Sequence, residues 1–297
     1  TNESGKVVAF VQEGELWSYN QEANTLAKVF SFRGYEGVDD RENYGEHDIK
    51  IVNIDEAGSI DYIVYGYMNR GIHEGTVGIA VYHYDSLANT NEEQVFIQSS
   101  QSYEVMKSEL GQLMYVTESC AFYIMVDGNV YGIDLNSLDT KVLVEGLSDE
   151  AVAISESNRF LAWVDPSVVR GSDTIHIIDF VTEKVTDVTE SASDYVKPLG
   201  FMQEDFVYGV AKSSDVVIDA AGNTIFPMYQ VKIMDTSSED QEILKTYEKP
   251  GYYVQSITIN GYTMYLNRIQ NNGTAYVDAD QDMIMNREGD SLKVVDI

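Results

Sequence analysis

Five alternating apolar segments of this chain end in Asn or Asp and lead into a turn, and this recurrence limits the fold more than any other feature. The segments are residues 16–20, 81–85, 130–134, 175–179 and 231–235. Apolar residues that alternate with a period of two are typical of half-buried β-strands. Because the segments return at roughly 45 to 65 residues, we expect one small antiparallel sheet to be repeated several times.

The composition favours one large all-β domain over residues 1–297. Hydrophobic residues make up 44% of the 297 positions, with 21 Tyr and 10 Phe, which is enough to build a substantial core. Only four prolines are present, too few for a disordered linker protein. Sheet architectures often exceed the usual domain size, so the length needs no division.

The charge of the chain excludes two classes of partner. Forty-nine acidic residues stand against 19 basic ones, for a formal net charge of −30, and no Lys/Arg cluster interrupts the excess. A field of this sign repels nucleic acid and anionic membrane surfaces. It keeps a protein soluble and suits cationic ligands or divalent metals.

Cys120 is the only cysteine, so no internal disulfide is possible, and its apolar surroundings predict a buried small side chain. No apolar stretch is long enough to cross a bilayer, so direct membrane insertion is not expected. The first residue is not Met, which indicates a processed product. Together with the acidic composition, this predicts a bacterial extracellular or cell-surface protein that has lost an N-terminal targeting segment.

Residues 151–189 contain the clearest unit, with a turn, two alternating strands and an outer strand. A Ser-x-x-Asn turn precedes an inner strand, and an Ile-x-Ile-Ile-Asp strand leads into a Thr-Glu-Lys turn; the residues are Ser155, Asn158, Ile175, Ile177, Asp179, Thr182 and Lys184. This pattern resembles the blades of TolB-like and WD40-like β-propellers. The resemblance implies the fold and transfers no functional residue.

The strand patterns predict a single β-propeller of six four-stranded blades. Their approximate bounds are residues 6–32 plus 291–297, 48–98, 103–146, 150–189, 196–247 and 252–286. In this arrangement the last strand, 291–297, completes the blade begun by residues 6–32 and removes an exposed sheet edge. Seven blades, or a fragment of a longer chain, is the alternative.

Two long loops are the predicted ligand-binding region. In a propeller, the loop between the second and third strands of a blade opens on the same face as the links between blades. Residues 33–48 form such a link and residues 68–75 form such a loop, so both are expected on one face. The candidate binding residues there are Tyr44, His47, Asp48, Arg70, His73 and Glu74.

These side chains allow more than one chemistry. Imidazole with carboxylate could hold a divalent metal, although no cofactor is required and the spacing matches no metal motif. Hydrogen bonds that fix long loops are the simpler interpretation. Carboxylate pairs among Asp39, Asp40, Glu42 and Glu74 could serve a glycosidase. His83 and His176 lie within strand patterns, where a structural role is expected.

Two functions remain open at this point. The first is a non-catalytic propeller that binds a protein, a glycan or another ligand on its loop-rich face. The second is a carbohydrate-active or metal-assisted hydrolase or lyase with a funnel active site. No nucleophile elbow, phosphate loop, dinucleotide fingerprint or zinc-protease motif is present in the sequence, which removes support for serine hydrolase, kinase and dehydrogenase functions.

Overall fold

The computed structural model describes residues 1–32, 45–109, 113–117, 119–168, 171–218, 222, 224–237 and 240–285. Tyr44, Asp39, Asp40 and Glu42 therefore lie outside the described residues, as does the predicted closing strand 291–297. The chain forms two compact units, Thr1–Gly146 and Leu147–Ile297, which we call unit 1 and unit 2.

Unit 1 contains three antiparallel sheets, each made of consecutive strands. Sheet 1 consists of β1 (Val7–Gln12), β2 (Glu15–Asn20) and β3 (Thr25–Ser31). Sheet 2 consists of β4 (His47–Ile54), β5 (Ile60–Tyr67), β6 (Val77–Asp85) and β7 (Thr90–Gln98). Sheet 3 consists of β8 (Met114–Val116), β9 (Ala121–Val126), β10 (Asn129–Asp134) and β11 (Thr140–Val144).

Unit 2 repeats this plan. Sheet 4 consists of β12 (Val152–Ile154), β13 (Phe160–Trp163), β14 (Thr174–Asp179) and β15 (Lys184–Thr189). Sheet 5 consists of β16 (Asp194–Met202), β17 (Asp205–Lys212), β20 (Gln230–Met234) and β21 (Ile243–Glu248), with the hairpin β18 (Val217–Ile218) and β19 (Thr224–Ile225) inserted. Sheet 6 consists of β22 (Tyr253–Asn260) and β23 (Thr263–Asn271), with β24 (Tyr276–Asp278) and β25 (Asp282–Met285) both paired to β23.

Within each unit the sheets stack face to face, and alternate residues of one strand enter different cores. On β5, Tyr62 and Val64 pack against sheet 1, while Ile63 and Tyr65 pack against sheet 3. On β17 in unit 2, Phe206 and Tyr208 join the core shared with sheet 4, whereas Val207 joins the core shared with sheet 6. A middle strand buried on both faces must be apolar throughout, which explains its nearly continuous hydrophobic sequence.

The predicted fold class is confirmed: the chain is all-β and built from propeller-type antiparallel sheets. One short helix, α1 (Tyr103–Glu109), was not predicted and lies in the link between sheets 2 and 3. Glu104 in its first turn and Lys107 in its last turn complement the helix dipole. The number of blades in a closed ring, and their grouping as one domain, stay predictions.

Candidate functional site

Three separate parts of unit 1 meet around a cavity of about 290 Å³, which we call the unit 1 recess. The β1–β2 turn, the ends of the link from β3 to β4, and the start of the β5–β6 loop all contribute. The lining residues are Glu13, Gly14, Phe32, Gly45, His47, Asp48 and Asn69. Segments 13–14, 45–48 and 69 are far apart in sequence. The packing of sheet 1 against sheet 2 brings them together.

Gly66 fixes the position of the link beside β5. The Tyr67 N–H donates to the Glu46 carbonyl oxygen at 2.7 Å, just before β4 begins. Gly66 has φ +113°, and a β-carbon there would overlap the Glu46 oxygen and lie 2.8 Å from the His47 Cα. Only glycine permits this approach of the two backbones. The approach places the start of β4, and with it His47 and Asp48, at the mouth of the β5–β6 loop.

His47 presents an imidazole whose hydrogen bonding is incomplete within the described part of the chain. Its ring lies 4.1 Å from the Phe32 ring, centroid to centroid. Its Nδ1 atom is buried and has no hydrogen-bond partner among the described residues. Burial lowers the pKa of His47 from its ordinary 6.5, and the neighbouring Asp48 carboxylate only partly opposes that shift. The ring is therefore neutral at physiological pH and can accept or donate one hydrogen bond.

Asp48 adds a carboxylate to the recess and is held from several sides. Its Oδ1 accepts the Ile49 N–H at 2.8 Å, and the Lys107 Nζ lies 3.9 Å from its Oδ2. Burial, and next the Asp48 charge, raise the pKa of the Tyr65 hydroxyl to about 12. Glu13 supplies a second acidic side chain from a turn in which it adopts φ 51°. The recess thus combines two carboxylates with a neutral imidazole.

His73 lies elsewhere, on the outer part of sheet 2. Its Nε2 is 2.6 Å from Glu93 Oε1, and its ring stacks on Phe96 at 3.7 Å with an angle of 9° between the planes. The Tyr82 hydroxyl donates to the other Glu93 oxygen at 2.8 Å. His73 is therefore engaged with β6 and β7, and it does not line the unit 1 recess.

Of the six predicted site residues, His47 and Asp48 are brought together in the recess. Arg70 is half-buried and Glu74 is exposed in the same loop as His73, and none of the three is part of the recess lining. Glu13, Phe32 and Asn69 line the recess but were not predicted. Asn69 directly precedes a predicted residue, and Glu13-Gly14 forms a recognisable hairpin turn, so a weak sequence signal existed for both.

The described residues provide no group of three or more His, Cys, Asp or Glu side chains that could hold a metal ion. A divalent metal therefore stays a prediction of the sequence. Within the same described ranges, no helix has the length and apolarity needed to cross a bilayer.

No known family matches the chain by sequence, and no characterised protein is found as a sequence relative. The WD40 domain of SCAP from fission yeast is 10% identical, with 95% of this chain and 75% of that chain covered and a TM-score of 0.38. An oligogalacturonate lyase in complex with manganese is 9% identical, with 89% and 68% covered and a TM-score of 0.36.

Dipeptidyl peptidase 4 of Porphyromonas gingivalis is 10% identical, with 93% of this chain and 52% of that chain covered and a TM-score of 0.34. The chain thus spans about half the length of this peptidase. Likenesses this distant say nothing about the function of the present chain.

Proposed function

We propose that the protein is a non-catalytic binding module, exported or displayed at a cell surface, whose unit 1 recess takes a Lys or Arg side chain of a partner protein. The observation that carries this proposal is the buried Nδ1 of His47, which has no hydrogen-bond partner among the described residues and lies in the recess with Asp48 and Glu13. A ligand that donates hydrogen bonds and carries positive charge can bond the imidazole nitrogen and is attracted by both carboxylates.

The surroundings of the recess favour the same ligand. Phe32, 9% exposed, gives an apolar contact for the methylene stem of a long basic side chain. The net charge of −30 raises the local concentration of cations near the protein and speeds their encounter. The acidic composition accords with the proposed location, because a high net charge keeps a protein soluble.

Three of the four histidines are paired with carboxylates of neighbouring strands. Each of these three has a ring nitrogen 2.6 or 2.7 Å from a carboxylate oxygen on a nearby strand. His73 pairs with Glu93, His83 with Asp61, and His176 with Asp187. These bonds fix the orientation of the three rings within their own sheets. His47 is the remaining imidazole, and its recess is suited to hold a cation.

The test uses small probes of known charge. We expect Nα-acetyl-lysine amide and Nα-acetyl-arginine amide to shift the NMR signals of His47, whereas Nε-acetylated lysine, which has nearly the same shape without the charge, leaves them unchanged. Glu13→Gln and Asp48→Asn are each expected to weaken binding about three- to tenfold. Glu92→Gln, an exposed carboxylate of β7 outside the recess, is the matched control and leaves affinity unchanged.

Equal binding of the charged and acetylated probes would contradict the proposed recognition. A specific glycan-array signal that survives Glu13→Gln would replace the protein partner by a glycan. Cleavage of a polysaccharide in a test panel, measured as new chain ends, would support the catalytic alternative. For the location, protease treatment of intact producing cells should remove the protein, and full protection would contradict surface display.

A further inference from the structure

Unit 2 contains a second cavity, of about 310 Å³, which we call the unit 2 pocket. It lies between sheets 4 and 5, where β14 turns into β15 and where β20 ends. Its lining includes Arg159, Phe160, Asp179, Lys184, Met234 and Ser237. All of its described lining residues belong to unit 2.

The floor of the unit 2 pocket is apolar. Phe160, Ile177 and Met234 contribute to it, and they belong to the core between sheets 4 and 5, with exposures of 5%, 5% and 3%. Their edges reach the cavity while their bodies are packed, so the floor is rigid. A flat or branched apolar group placed there removes further hydrocarbon surface from water.

The two carboxylates of the pocket are already engaged. Arg159 Nε and Nη2 donate to the two oxygens of Asp179 at 2.9 and 2.8 Å, and the guanidinium also lies 4.8 Å over the Phe160 ring. Asp235 Oδ1 accepts the Ser237 N–H at 2.8 Å and the Ser237 hydroxyl at 2.6 Å. The Arg159 guanidinium balances the charge of Asp179, whereas the Ser237 donors occupy the Oδ1 of Asp235 without supplying a counter-charge.

Among the described residues, Lys184 is the pocket cation without a counterion. Its side chain is exposed, and within the described ranges its Nζ forms no ion pair or hydrogen bond. Thr182 and Thr186 place hydroxyl groups on the same wall. An ammonium group beside hydroxyl donors, above an apolar floor, matches a carboxylate that is attached to an apolar body.

We propose that the unit 2 pocket binds a carboxylate-terminated apolar group, with the carboxylate at Lys184 and the apolar body over Phe160 and Met234. Such a group is supplied either by a free aromatic or aliphatic acid or by the last residue of a peptide. The overall negative charge opposes the approach of an anion. At physiological ionic strength, charges beyond about 8 Å are screened. Within the pocket Arg159 is paired with Asp179, so Lys184 and Asp235 are the remaining charges of the described lining, and the ligand carboxylate is placed on the Lys184 side.

The probe is N-acetyl-L-phenylalanine, and N-acetyl-L-phenylalaninamide is its uncharged match. In protein labelled with ¹³C at the methionine methyl groups, the acid is expected to shift the Met234 signal in 0.15 M salt and leave the Met68 signal of unit 1 unmoved. The amide is expected to bind about three- to tenfold more weakly, since it lacks the ion pair.

Lys184→Gln should reduce binding of the acid by the same three- to tenfold and leave binding of the amide unchanged. Lys245→Gln is the control, because Lys245 is an equally exposed lysine on β21 without an ion pair in the described structure and lies outside the pocket. Both lysines are exposed, so both variants are expected to fold, and matching unfolding midpoints establish this.

A third arm separates the two sources of the carboxylate. A hexapeptide ending in Phe is compared with its C-terminally amidated form and with the free acid. Tighter binding of the free-carboxylate peptide than of the acid supports the proposal and identifies a chain terminus, and the reverse order supports it and identifies a small acid. Equal shifts of Met234 by acid and amide, an unmoved Met234, or acid binding unaffected by Lys184→Gln would each overturn it.

Discussion

At the scale of single residues, Arg159 and Asp179 join the start of β13 to the end of β14 through two parallel hydrogen bonds. Burial alone would raise the pKa of the Asp179 carboxyl, but the bonds from Arg159 and from the Val181 N–H outweigh burial and lower the pKa below its ordinary 3.8. A carboxylate stabilised in this way favours the folded state whenever it is ionised.

Asp179→Asn is therefore expected to lower the free energy of unfolding by about 1 to 2 kcal/mol at pH 7. The contribution of the wild-type carboxylate is fully present above pH 3.8 and is lost as the pH falls through the lower folded-state pKa. Urea unfolding at pH 7 and near pH 2.5 measures the difference. A variant that is equally destabilised at both pH values would show that lost packing, not charge, is responsible.

His47 is a base and Asp179 is an acid, but both have a lowered pKa in the folded protein, so both make the protein less stable as the pH falls. Because burial lowers its folded-state pKa, the unfolded chain takes up a proton near pH 6.5 before the folded protein does. Stability contributed by the neutral ring is complete above pH 6.5 and declines as the pH falls toward the folded-state value. His47→Gln should flatten the stability profile between pH 7 and pH 5, and an unchanged slope would contradict the assignment.

His73 separates a structural role from a ligand-binding one. His73→Ala removes the bond to Glu93 and the stacking on Phe96, which together should cost about 1 to 2 kcal/mol of stability. Because His73 does not line the unit 1 recess, the affinity for the lysine probe is expected to remain within twofold of wild type. Titration of the folded variant checks this, and a larger loss would return His73 to the binding site.

At the scale of strands and loops, Gly66 and Gly75 form a matched pair for testing how β4 is positioned. Both have positive φ, +113° and +89°, but a β-carbon at Gly75 meets nothing within 4 Å. Gly75→Ala should cost about 1 to 2 kcal/mol for the strained backbone alone. Gly66→Ala, which also collides with the backbone before His47, should cost more than about 3 kcal/mol.

Denaturant unfolding of the two glycine variants gives the comparison, and the NMR signal of His47 reports the local shift. Equal costs would mean that the link relaxes away from β5 without difficulty. In that case the backbone approach would not fix the recess, and His47 would tolerate displacement without loss of probe binding.

Strand periodicity made most of the sheet architecture predictable, because the alternation of apolar and polar residues within a strand indicates which of its faces is buried. His83 and His176 fall within strands and bond to Asp61 and Asp187 on neighbouring strands, as their positions suggested. The short helix α1 was not predictable in the same way, because it carries no periodic signal long enough to read. Cys120 was predicted to be buried from its apolar neighbours. It is half-buried instead, and its φ of 63° is a turn conformation.

The site was less predictable than the sheets, since it depends on contacts between distant segments. Glu13 and Asn69 line the same cavity as His47 in the folded chain, and their turn positions are a weak signal that does not report this proximity. The same limitation applies to His73. Its loop position favours a ligand role, whereas in the structure its ring bonds to Glu93 and stacks on Phe96. The sequence indicated two candidate loops but could not determine which way each side chain turns.

At the scale of the whole molecule, the net charge of −30 opposes folding by self-repulsion, and salt should relieve that opposition. Raising NaCl from 20 to 500 mM at pH 7 is expected to increase the melting temperature by roughly 2 to 5 °C, because the repulsion becomes screened. The same salt should weaken the lysine probe at the unit 1 recess. Calorimetry at pH 7 and near the isoelectric point of about 4.2 tests the cause, since the salt effect on melting should vanish where the net charge does. Equal stabilisation at both pH values would indicate a general salt effect on apolar burial, and self-repulsion would then not limit the stability of this fold.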